Sequence, residues 1–238
     1  MSKGIFITGT DTGVGKTIVA AVLARLLRMR GLSVGVMKPV TSGCRAENGV
    51  LVSDDALLLC QAAGGTCSAD VAPYLLREPL APAEAAKLDG VVIDFVRIRE
   101  SYKRLAAVHD FVIVEGAGGL MVPLAGGLLV ADLARHLELP LLVVARPDLG
   151  TINHTVLTCF AAGQMELKVA GVVINNYPDN PGLAERSAPH HIGSLCGAAV
   201  LGIWPHRDDL DELELVEGLA DWLDGQAETD IVLRELGL

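Results

Sequence analysis

A glycine-rich loop near the start of the chain has the residue types of a phosphate-binding site. From Gly9 to Thr17 it reads Gly-Thr-Asp-Thr-Gly-Val-Gly-Lys-Thr, between an apolar run at 5–7 and a helical pattern. Glycines let backbone N–H groups approach an anion closely, and the positive end of the following helix points at the same place. In such a loop Lys16 would neutralise the outer phosphates, and the hydroxyl of Thr17 would ligate Mg²⁺.

The loop departs from the usual phosphate-loop pattern at one position. The strict form G-x-x-x-x-G-K-[ST] requires glycine at position 10, where this chain has Thr10, so the loop counted from Gly9 is one residue longer. The alternative interpretation is a glycine turn that only joins a strand to a helix. A Gly-Lys-Thr sequence at a strand-to-helix junction favours phosphate binding.

A second lysine and a glutamate follow predicted strands. Lys38 comes directly after the apolar run 34–37, and ligands of open parallel sheets bind at the carboxyl ends of the strands. Glu115 follows the run 111–114, where burial of an unpaired carboxylate is costly unless Mg²⁺ or a nest of N–H groups offsets it. The alternatives are an ordinary surface lysine and a solvent-facing glutamate just past the strand.

The adjacent pair Asp54–Asp55 offers a further carboxylate ligand for a metal held beside Thr17 and Glu115. Its alternative interpretation is a helix N-cap followed by a second acid in the first turn.

Short apolar runs alternate with helical patterns along most of the chain. The predicted strands are 5–7, 34–37, 111–114, 141–144, 169–174 and 200–203, and the predicted helices are 16–30, 94–108, 129–137 and 151–164. These strands are apolar at consecutive positions, which is typical of strands covered by helices on both faces. The alternation predicts an α/β fold with a mostly parallel sheet, helices on both faces and right-handed crossovers.

No internal repeat, low-complexity tract or linker interrupts residues 1–238, so we expect a single domain. The segment Cys60–Gly90, with three prolines, is the least regular and is predicted to form an insertion or lid-like edge. The tail from Asp208 is acidic and helical, and its apolar residues are expected to pack outside the sheet without a chemical role.

Composition excludes several classes of protein. With 51% hydrophobic and 20% charged residues the chain is globular, and its net charge of −10 argues against a general nucleic-acid or anionic-membrane binder. The five cysteines include no CxxC pair, so buried thiols are expected rather than a disulfide framework or a zinc site. Neither a signal-peptide pattern nor a membrane-spanning run is present, and we expect a soluble cytoplasmic protein.

Several segments, taken in chain order, resemble the dethiobiotin synthase family. They are the loop from Gly9, Lys-Pro-Val-Thr-Ser-Gly at 38–43, Ser-Asp-Asp-Ala-Leu at 53–57, Val-Glu-Gly-Ala-Gly-Gly at 114–119, Leu-Gly-Thr-Ile-Asn-His at 149–154 and Val-Ile-Asn-Asn at 173–176. The likeness runs from the first strand to Pro205, and the loop together with the segment 38–43 is far more specific than either alone. It implies a P-loop nucleotide-hydrolase-like fold.

The resemblance implies an ATP- and Mg²⁺-dependent ligase of biotin biosynthesis. One amine of 7,8-diaminononanoate takes up CO₂ (or bicarbonate) to give a carbamate, the carbamate oxygen receives the γ-phosphoryl group of ATP, and the second amine closes the ureido ring and expels phosphate. Because carbamate, triphosphate and the transferring phosphoryl group are all negative, cations and backbone donors must be in place beforehand. Lys16 and Lys38 are therefore the candidate catalytic residues.

The resemblance also implies site residues by position. The nucleotide-binding set is Gly13, Val14, Gly15, Lys16, Thr17, Ile18, Asp55, Glu115, Gly116, Ala117, Gly118, Asn175, Asn176, Pro205, His206 and Arg207. The metal ligands are Thr17, Asp55 and Glu115, with Asp54 as the helix cap. The substrate residues are Thr12, Ser42, Gly150, Thr151, Ile152 and Asn153, the last four at a helix start that would take the substrate carboxylate across a homodimer interface. Turn roles for Thr12, Ser42 and Asn175, and an empty helix start, are the alternatives. Glu84 stands where relatives often have histidine, which leaves the local substrate contacts open.

Two other functional classes are compatible with a phosphate loop. A switch ATPase of the partitioning or metal-delivery type shares the fold, but its loop carries a signature lysine where this chain has Asp11, and a nitrogenase-reductase-like protein would need interface cysteines that these five do not match. A non-enzymatic nucleotide sensor would leave Lys38 and Ser42 without a small-molecule role. A synthase should release ADP only when the diamine and bicarbonate are both present, whereas a switch ATPase should respond to a protein or DNA partner.

Overall fold

A computed structural model describes residues 4–207, 210–227 and 229–238. Its strands are β1 (Gly4–Gly9), β2 (Val34–Met37), β3 (Val40–Thr41), β4 (Arg45–Glu47), β5 (Val50–Val52), β6 (Tyr74–Leu75), β7 (Phe111–Gly119), β8 (Pro123–Ala125), β9 (Leu128–Leu129), β10 (Leu141–Ala145), β11 (Val169–Tyr177) and β12 (Val200–Pro205). Its helices are α1 (Lys16–Met29), α2 (Asp54–Ala63), α3 (Pro82–Asp89), α4 (Phe95–Val108), α5 (Val130–Leu137), α6 (Thr151–Gln164), α7 (Leu183–Leu195), α8 (Glu212–Asp224) and α9 (Thr229–Glu235).

The central sheet of the described chain has six parallel strands in the order β12-β11-β10-β1-β7-β2. All of them fall on apolar runs predicted as strands, and the α/β fold class is confirmed. The strand β1 lies in the middle, between β10 and β7. The loop that follows it therefore opens at the centre of the carboxyl edge, where the strand order reverses and where ligands of such folds bind.

Helices cover both faces of the sheet, which accounts for the unbroken apolar runs. In β1, Ile5 and Ile7 belong to the cluster formed with α1, α2 and α8, while Phe6 belongs to the cluster formed with α4 and α5. All three side chains are fully buried. The helices α6 and α7 complete the second face over β10 and β11. Because each such side chain contributes roughly 1.5–3 kcal/mol on burial, the two packed faces fix the sheet.

The C-terminal tail packs as predicted over the residues that are described. Four apolar residues of α8 are buried in the cluster that also holds α1: Val216, Leu219, Ala220 and Leu223. The predicted start of the tail, Asp208, lies outside the described residues. Over the ranges given above, the longest helices are too short or too polar to cross a bilayer.

The segment Cys60–Gly90, predicted to be irregular, contains the end of one helix and the whole of another. The helix α2 runs to Ala63, and α3 begins with Pro82 in its first turn, where a missing N–H costs nothing. The prolines of this segment indicated only irregularity, although Pro82 starts a helix. The helix α7, which contains Pro189, was not predicted either.

The expectation of five thiols is wrong. Cys60, in the last turns of α2, forms a disulfide with Cys67 seven residues later. Cys44 and Cys159 are buried thiols as expected, and Cys196 is half-buried. Spacing alone did not indicate the pair, because the turn after α2, and not a CxxC motif, brings Cys67 back to Cys60. Burial raises the pKa of Cys44, and it raises the pKa of Cys159 to about 12.

Alkylation of the native protein at pH 8 should therefore label Cys196 first and Cys159 slowest. A thiol with a pKa near 12 carries about 10³-fold less thiolate than an ordinary cysteine. In denaturant without reductant, mass spectrometry should count three alkylated cysteines, and after reduction five. Five labels without reductant would show that Cys60 and Cys67 are both free.

Candidate active site

The loop after β1 is built as a cradle around the start of α1. Gly13 and Gly15 have left-handed backbone conformations, with φ of 79° and 89°, and Gly15 is the N-cap of α1. A side chain on Gly15 would collide with the amide of Asn175. Lys16 Nζ folds back on the loop and donates to the carbonyl of Asp11 at 3.0 Å. The loop thus directs amides and one ammonium group to the same place, as an anion site requires.

Asn175 braces this cradle from β11. Its Nδ2 donates to the carbonyl of Val14 at 3.2 Å, and the side chain is almost fully buried. Its Oδ1 is buried as well and has no hydrogen-bond partner among the described residues. A buried, unpaired acceptor is costly, so this oxygen is available to a ligand that donates a hydrogen bond.

Strand register brings the other charged residues together. Met37 of β2 pairs with Val114 of β7, so the residues that follow them, Lys38 and Glu115, are neighbours at the carboxyl edge. Glu115 also pairs with Ile7 of β1, which places it next to the strand that leads into the loop.

Glu115 is the centre of the resulting cluster. Its Oε1 accepts hydrogen bonds from Thr17 Oγ1 at 2.9 Å and from Lys38 Nζ at 2.7 Å, and Lys38 also donates to Asp55 Oδ2. Glu115 is 1% exposed and Lys38 is 6% exposed. The alternative interpretations of Glu115 as a solvent-facing residue and of Lys38 as a surface lysine are therefore wrong.

The protein shifts the pKa values of the two lysines in opposite directions. Burial lowers the pKa of Lys16, and the nearby carboxylates compensate only in part. Burial acts in the same direction on Lys38, but the carboxylates of Glu115 and Asp55 outweigh it and raise the pKa of Lys38. Lys38 is thus a stable ammonium group, whereas Lys16 carries a charge that a bound polyphosphate would stabilise.

Asp55 is presented by the first turn of α2. The N-cap is Ser53, whose Oγ accepts from the backbone N–H of Ala56 at 3.1 Å. The predicted cap at Asp54 is wrong, because the serine one residue earlier already holds the extended N-cap conformation. Asp54 lies on the surface, where Arg45 Nε donates to it at 2.7 Å. Asp55, not Asp54, faces Lys38.

A cavity of about 540 Å³ lies over the loop and the cluster. The predicted residues that line it are Thr12, Gly13, Gly15, Lys16, Thr17, Ile18, Lys38, Ser42, Asp55, Glu115, Ala117 and Gly118. The hydroxyl of Ser42 is buried there without a partner among the described residues, and is therefore free to bind a ligand.

The lining residues that were not predicted are Val40, Thr41, the segment 79–82, Val122 and Glu212. Glu212 is in the first turn of α8, in the tail to which no chemistry was assigned. Its place at the cavity depends on how α8 packs on α1, which hydrophobic periodicity does not give. The prolines of 79–82 were visible in the sequence, but only as irregularity.

The other predicted residues lie outside this lining. They are Val14, Gly116, Asn175, Asn176, Pro205, His206, Arg207, Gly150, Thr151, Ile152 and Asn153. Pro205 pairs with Tyr177, and His206 N donates to the carbonyl of Tyr177 at 2.8 Å, beside the strand that carries Asn175. Gly150 caps the separate helix α6. Glu84 is exposed on α3 and does not line the cavity.

The cluster fits a magnesium ion by its donor chemistry. Thr17, Asp55 and Glu115 supply hydroxyl and carboxylate oxygens, the ligands that Mg²⁺ prefers. The second oxygen of Glu115 is buried and has no partner among the described residues. Those residues contain no group of three His, Cys, Asp or Glu side chains suited to hold a metal alone. Such a sparse set suits Mg²⁺, which keeps waters and phosphate oxygens in its coordination shell.

Comparison with known proteins decides among the functions compatible with this site. A family model described as an AAA domain matches residues 3–214. A protein of Bacillus licheniformis named ATP-dependent dethiobiotin synthetase is 43% identical over 222 residues, 93% of this chain and 94% of the relative. The chain belongs to the ATP-dependent dethiobiotin synthetase family. Synthetases of the same name in Anaeromyxobacter dehalogenans (44% identity, 87% of this chain and 92% of the relative) and Thermodesulfovibrio yellowstonii (38%, 91% and 94%) agree.

Solved structures similar to this synthetase-family chain show its fold alone. A ParA family ATPase of Chlorobium tepidum has a TM-score of 0.57 and 16% identity, with 100% of each chain covered. The septum site-determining protein MinD of Pyrococcus horikoshii has a TM-score of 0.58 and 20% identity, with 99% of this chain and 94% of that chain covered. The α/β architecture is therefore shared with a ParA family ATPase and with MinD, and this likeness alone assigns no function.

Proposed function

We propose that this chain is an ATP-dependent dethiobiotin synthetase, a ligase of biotin biosynthesis. It would close the ureido ring of dethiobiotin from 7,8-diaminononanoate, CO₂ and ATP, and release ADP and phosphate. One observation carries the proposal: the phosphate loop and the cluster of Thr17, Lys38, Asp55 and Glu115 meet in a single cavity. We infer that residues 1–238 act as one cytoplasmic domain without a nucleic-acid or membrane partner, in keeping with small soluble substrates and a net charge of −10.

The proposed reaction has three bond-forming steps. The first amine attacks CO₂ and loses a proton, which gives a carbamate. A carbamate oxygen attacks the γ-phosphorus while the bond to the bridging oxygen breaks, and ADP leaves. The second amine attacks the carbonyl carbon of this mixed anhydride, loses a proton and expels phosphate. The carbamate, the triphosphate and the transferring phosphoryl group are all anionic and must lie close together. Electrostatic stabilisation is therefore the main requirement.

The lysines have separate parts in this scheme. Lys16 and the amides of 13–17 hold the outer phosphates of ATP. Lys38, which donates to Glu115, neutralises the carbamate and the transferring phosphoryl group. Ser42 and Thr12, which line the same cavity, donate to the carbamate or the diamine. Magnesium, when bound by Thr17, Asp55 and Glu115, neutralises phosphate charge.

The nucleoside would lie towards β11 and α8. Asn175 offers its unpaired Oδ1 to the amino group of adenine, and the segment 205–207 with Asn176 closes that side. Glu212 lines the cavity, would repel phosphates and can accept hydrogen bonds from hydroxyl groups, so we propose that it binds the ribose.

A second copy of the chain would complete the substrate site. At the start of α6, residues 150–153, no side chain caps the helix in the described chain, although Thr151 N–H donates to the carbonyl of Asp148 at 3.0 Å. A helix start of this kind suits a carboxylate. Leu149, which precedes the helix cap, is 83% exposed, and Leu157 and Phe160 on the helix are 55% and 63% exposed. An apolar stripe of this kind is typical of a subunit contact. We therefore propose a homodimer in which this helix start takes the tail carboxylate of the diamine.

The deciding experiment combines the chain with 7,8-diaminononanoate, bicarbonate, Mg²⁺ and ATP. ADP release should require the diamine and bicarbonate together and should match dethiobiotin mole for mole, as followed by mass spectrometry. Steady ATP hydrolysis without the diamine, or stimulation by DNA or a protein partner instead, would contradict the proposal and favour a switch ATPase.

Replacing Asp55 by asparagine should weaken magnesium activation far more than replacing Asp54. Asp55 faces Lys38 in the cavity, whereas Asp54 pairs with Arg45 on the surface. Loss of one carboxylate ligand is expected to raise the Mg²⁺ concentration for half-maximal activity about 10-fold or more, and Asp54→Asn should change it less than about twofold. The reverse order would show that Asp54 is the ligand.

A further inference from the structure

We infer that Ser53 is a positioning residue of this site: its buried hydroxyl ties the start of α2 to Thr41 and so holds Asp55 against Lys38. The inference rests on the proposed function. It concerns a residue that is not in the lining of the cavity and that acts only through its neighbours.

The hydroxyl of Ser53 makes two hydrogen bonds at once. It donates to Thr41 Oγ1 at 3.3 Å and accepts from the N–H of Ala56 at 3.1 Å. Ser53 is 5% exposed and Thr41 is 6% exposed, so water does not replace either bond easily. A hydroxyl has a single proton, and here it points at Thr41 while the oxygen caps the helix.

These two bonds join the parts of the chain that carry the chemistry. Thr41 directly precedes Ser42 and follows Lys38 by three residues. Asp55 is the second residue of the helix that Ser53 caps. The one hydroxyl thus closes the segment 41–53 on itself and fixes the distance between the lysine and the carboxylate that contacts it.

Backbone pairing also closes this segment, because Arg45 pairs with Val52 in the β4–β5 ladder. The buried side chains of Leu58 and Leu59 hold the body of α2 in the core. Between Thr41 and Ser53 the chain forms the exposed β4–β5 hairpin. The other side-chain link at its base, from Arg45 to Asp54, joins side chains that are 43% and 65% exposed. Exposed ion pairs contribute little because water and salt screen them. Of the two side-chain links at this base, the buried Ser53 hydroxyl therefore contributes more to the position of the first turn of α2.

Asp55 is sensitive to this turn because it has little support of its own. Its side chain is 44% exposed, and in the described part of the chain its hydrogen bond is with Lys38. When a cap is lost, the first helical turn frays. Asp55 would then leave Lys38, and a magnesium ligand would be misplaced while Lys16, Lys38 and the loop stay intact.

The test measures dethiobiotin formation and, separately, Mg²⁺ binding in the presence of ADP by calorimetry, where the same order of effects is expected. The variants are Ser53→Ala, Ser53→Asn, Thr41→Val and the double variant Thr41→Val/Ser53→Ala. Ser53→Ala should raise the Mg²⁺ concentration for half-maximal activity about tenfold, with a smaller change in KM for the diamine. Ser53→Asn should restore it to within about threefold, because asparagine caps helices as well as serine and its amide can donate to Thr41. In magnesium dependence the double variant should equal Ser53→Ala, since both changes break the same link. Thr41 also lines the cavity, so a direct effect of Thr41→Val should show in KM for the diamine.

The matched control is Arg45→Gln, which removes the exposed link and should keep the parent magnesium dependence. Parent-like magnesium dependence in Ser53→Ala, no rescue by a folded Ser53→Asn, or an equal effect of Arg45→Gln would each overturn the inference. If Ser53→Ala does not fold, the other two variants still test the inference. Ser53→Asn should keep a magnesium dependence near that of the parent, and Thr41→Val should need more Mg²⁺ for half-maximal activity. A parent chain that makes no dethiobiotin contradicts the proposed function instead.

Discussion

Replacing Lys38 by methionine is expected to lower dethiobiotin formation by about two to three orders of magnitude. Methionine keeps the length of the side chain and removes its charge. The ammonium group lies 2.7 Å from Glu115 and also contacts Asp55, at the cavity where carbamate and phosphoryl charges must meet. The variant should still bind ATP, because Lys16 and the loop amides are unchanged. The measurements are kcat for ureido product and the Kd of ATP by calorimetry.

The same substitution should also destabilise the fold. Glu115 is 1% exposed, and without Lys38 its charge would be buried without a cation. Breaking a buried pair in this way costs about 3–5 kcal/mol, which lowers the melting temperature by roughly 10 °C in a chain of this size. Lys38→Arg is the control, since it keeps the charge and should recover stability more than activity. Product formation by a folded Lys38→Met variant at the parent rate would show that this ammonium group is not catalytic.

The central sheet could be predicted from the sequence because its signal is local. Ile5, Phe6 and Ile7 are buried on alternate faces, so all three must be apolar, and the same holds for the other central strands. The phosphate loop was predictable for a related reason. Glycines and a lysine at a strand-to-helix junction have few other uses. These residues are also consecutive in the chain, so the loop can be recognised without knowing any long-range contact.

Features that depend on packing were not predictable in the same way. Pro82 counted only as a sign of irregularity, although it starts α3, and the helix α7 around Pro189 was not predicted. The disulfide between Cys60 and Cys67 depends on the path of the chain after α2. Glu212 reaches the cavity only because α8 packs against α1.

The candidate site shows the same division. That Lys38 and Glu115 lie at strand ends was a local inference. That they touch follows from the pairing of Met37 with Val114, which no residue pattern specifies. The choice between Asp54 and Asp55 turned on which residue caps α2, and two acids after a serine leave that cap open until the backbone is known. Local sequence thus indicates which groups do chemistry, and strand register determines which of them meet.

Replacing Lys16 by methionine should lower ATP-dependent turnover about as much as Lys38→Met does. Unlike Lys38→Met, it should not destabilise the fold. Burial lowers the pKa of Lys16, so its ammonium group is less favourable in the folded chain than in the unfolded one. The unfolded chain therefore binds more protons between that lowered pKa and 10.5, and this residue's contribution to stability rises with pH across that window. Lys38 has a raised pKa, so its contribution is present below 10.5 and is lost as the pH rises through the raised value.

Thermal denaturation without nucleotide at pH 7.5 and pH 10 should separate the two lysines. Lys16→Met should melt at or above the temperature of the parent, and Lys38→Met well below it. ATP affinity should follow the other order: it should fall at least about tenfold in Lys16→Met, because the loop loses the cation that faces the outer phosphates, and stay near that of the parent in Lys38→Met. A Lys16→Met variant that binds ATP as the parent does would place the phosphates elsewhere. A Lys16→Met variant that melts as low as Lys38→Met would instead mean that the charge of Lys16 stabilises the fold. The loop would then not be preorganised for binding an anion.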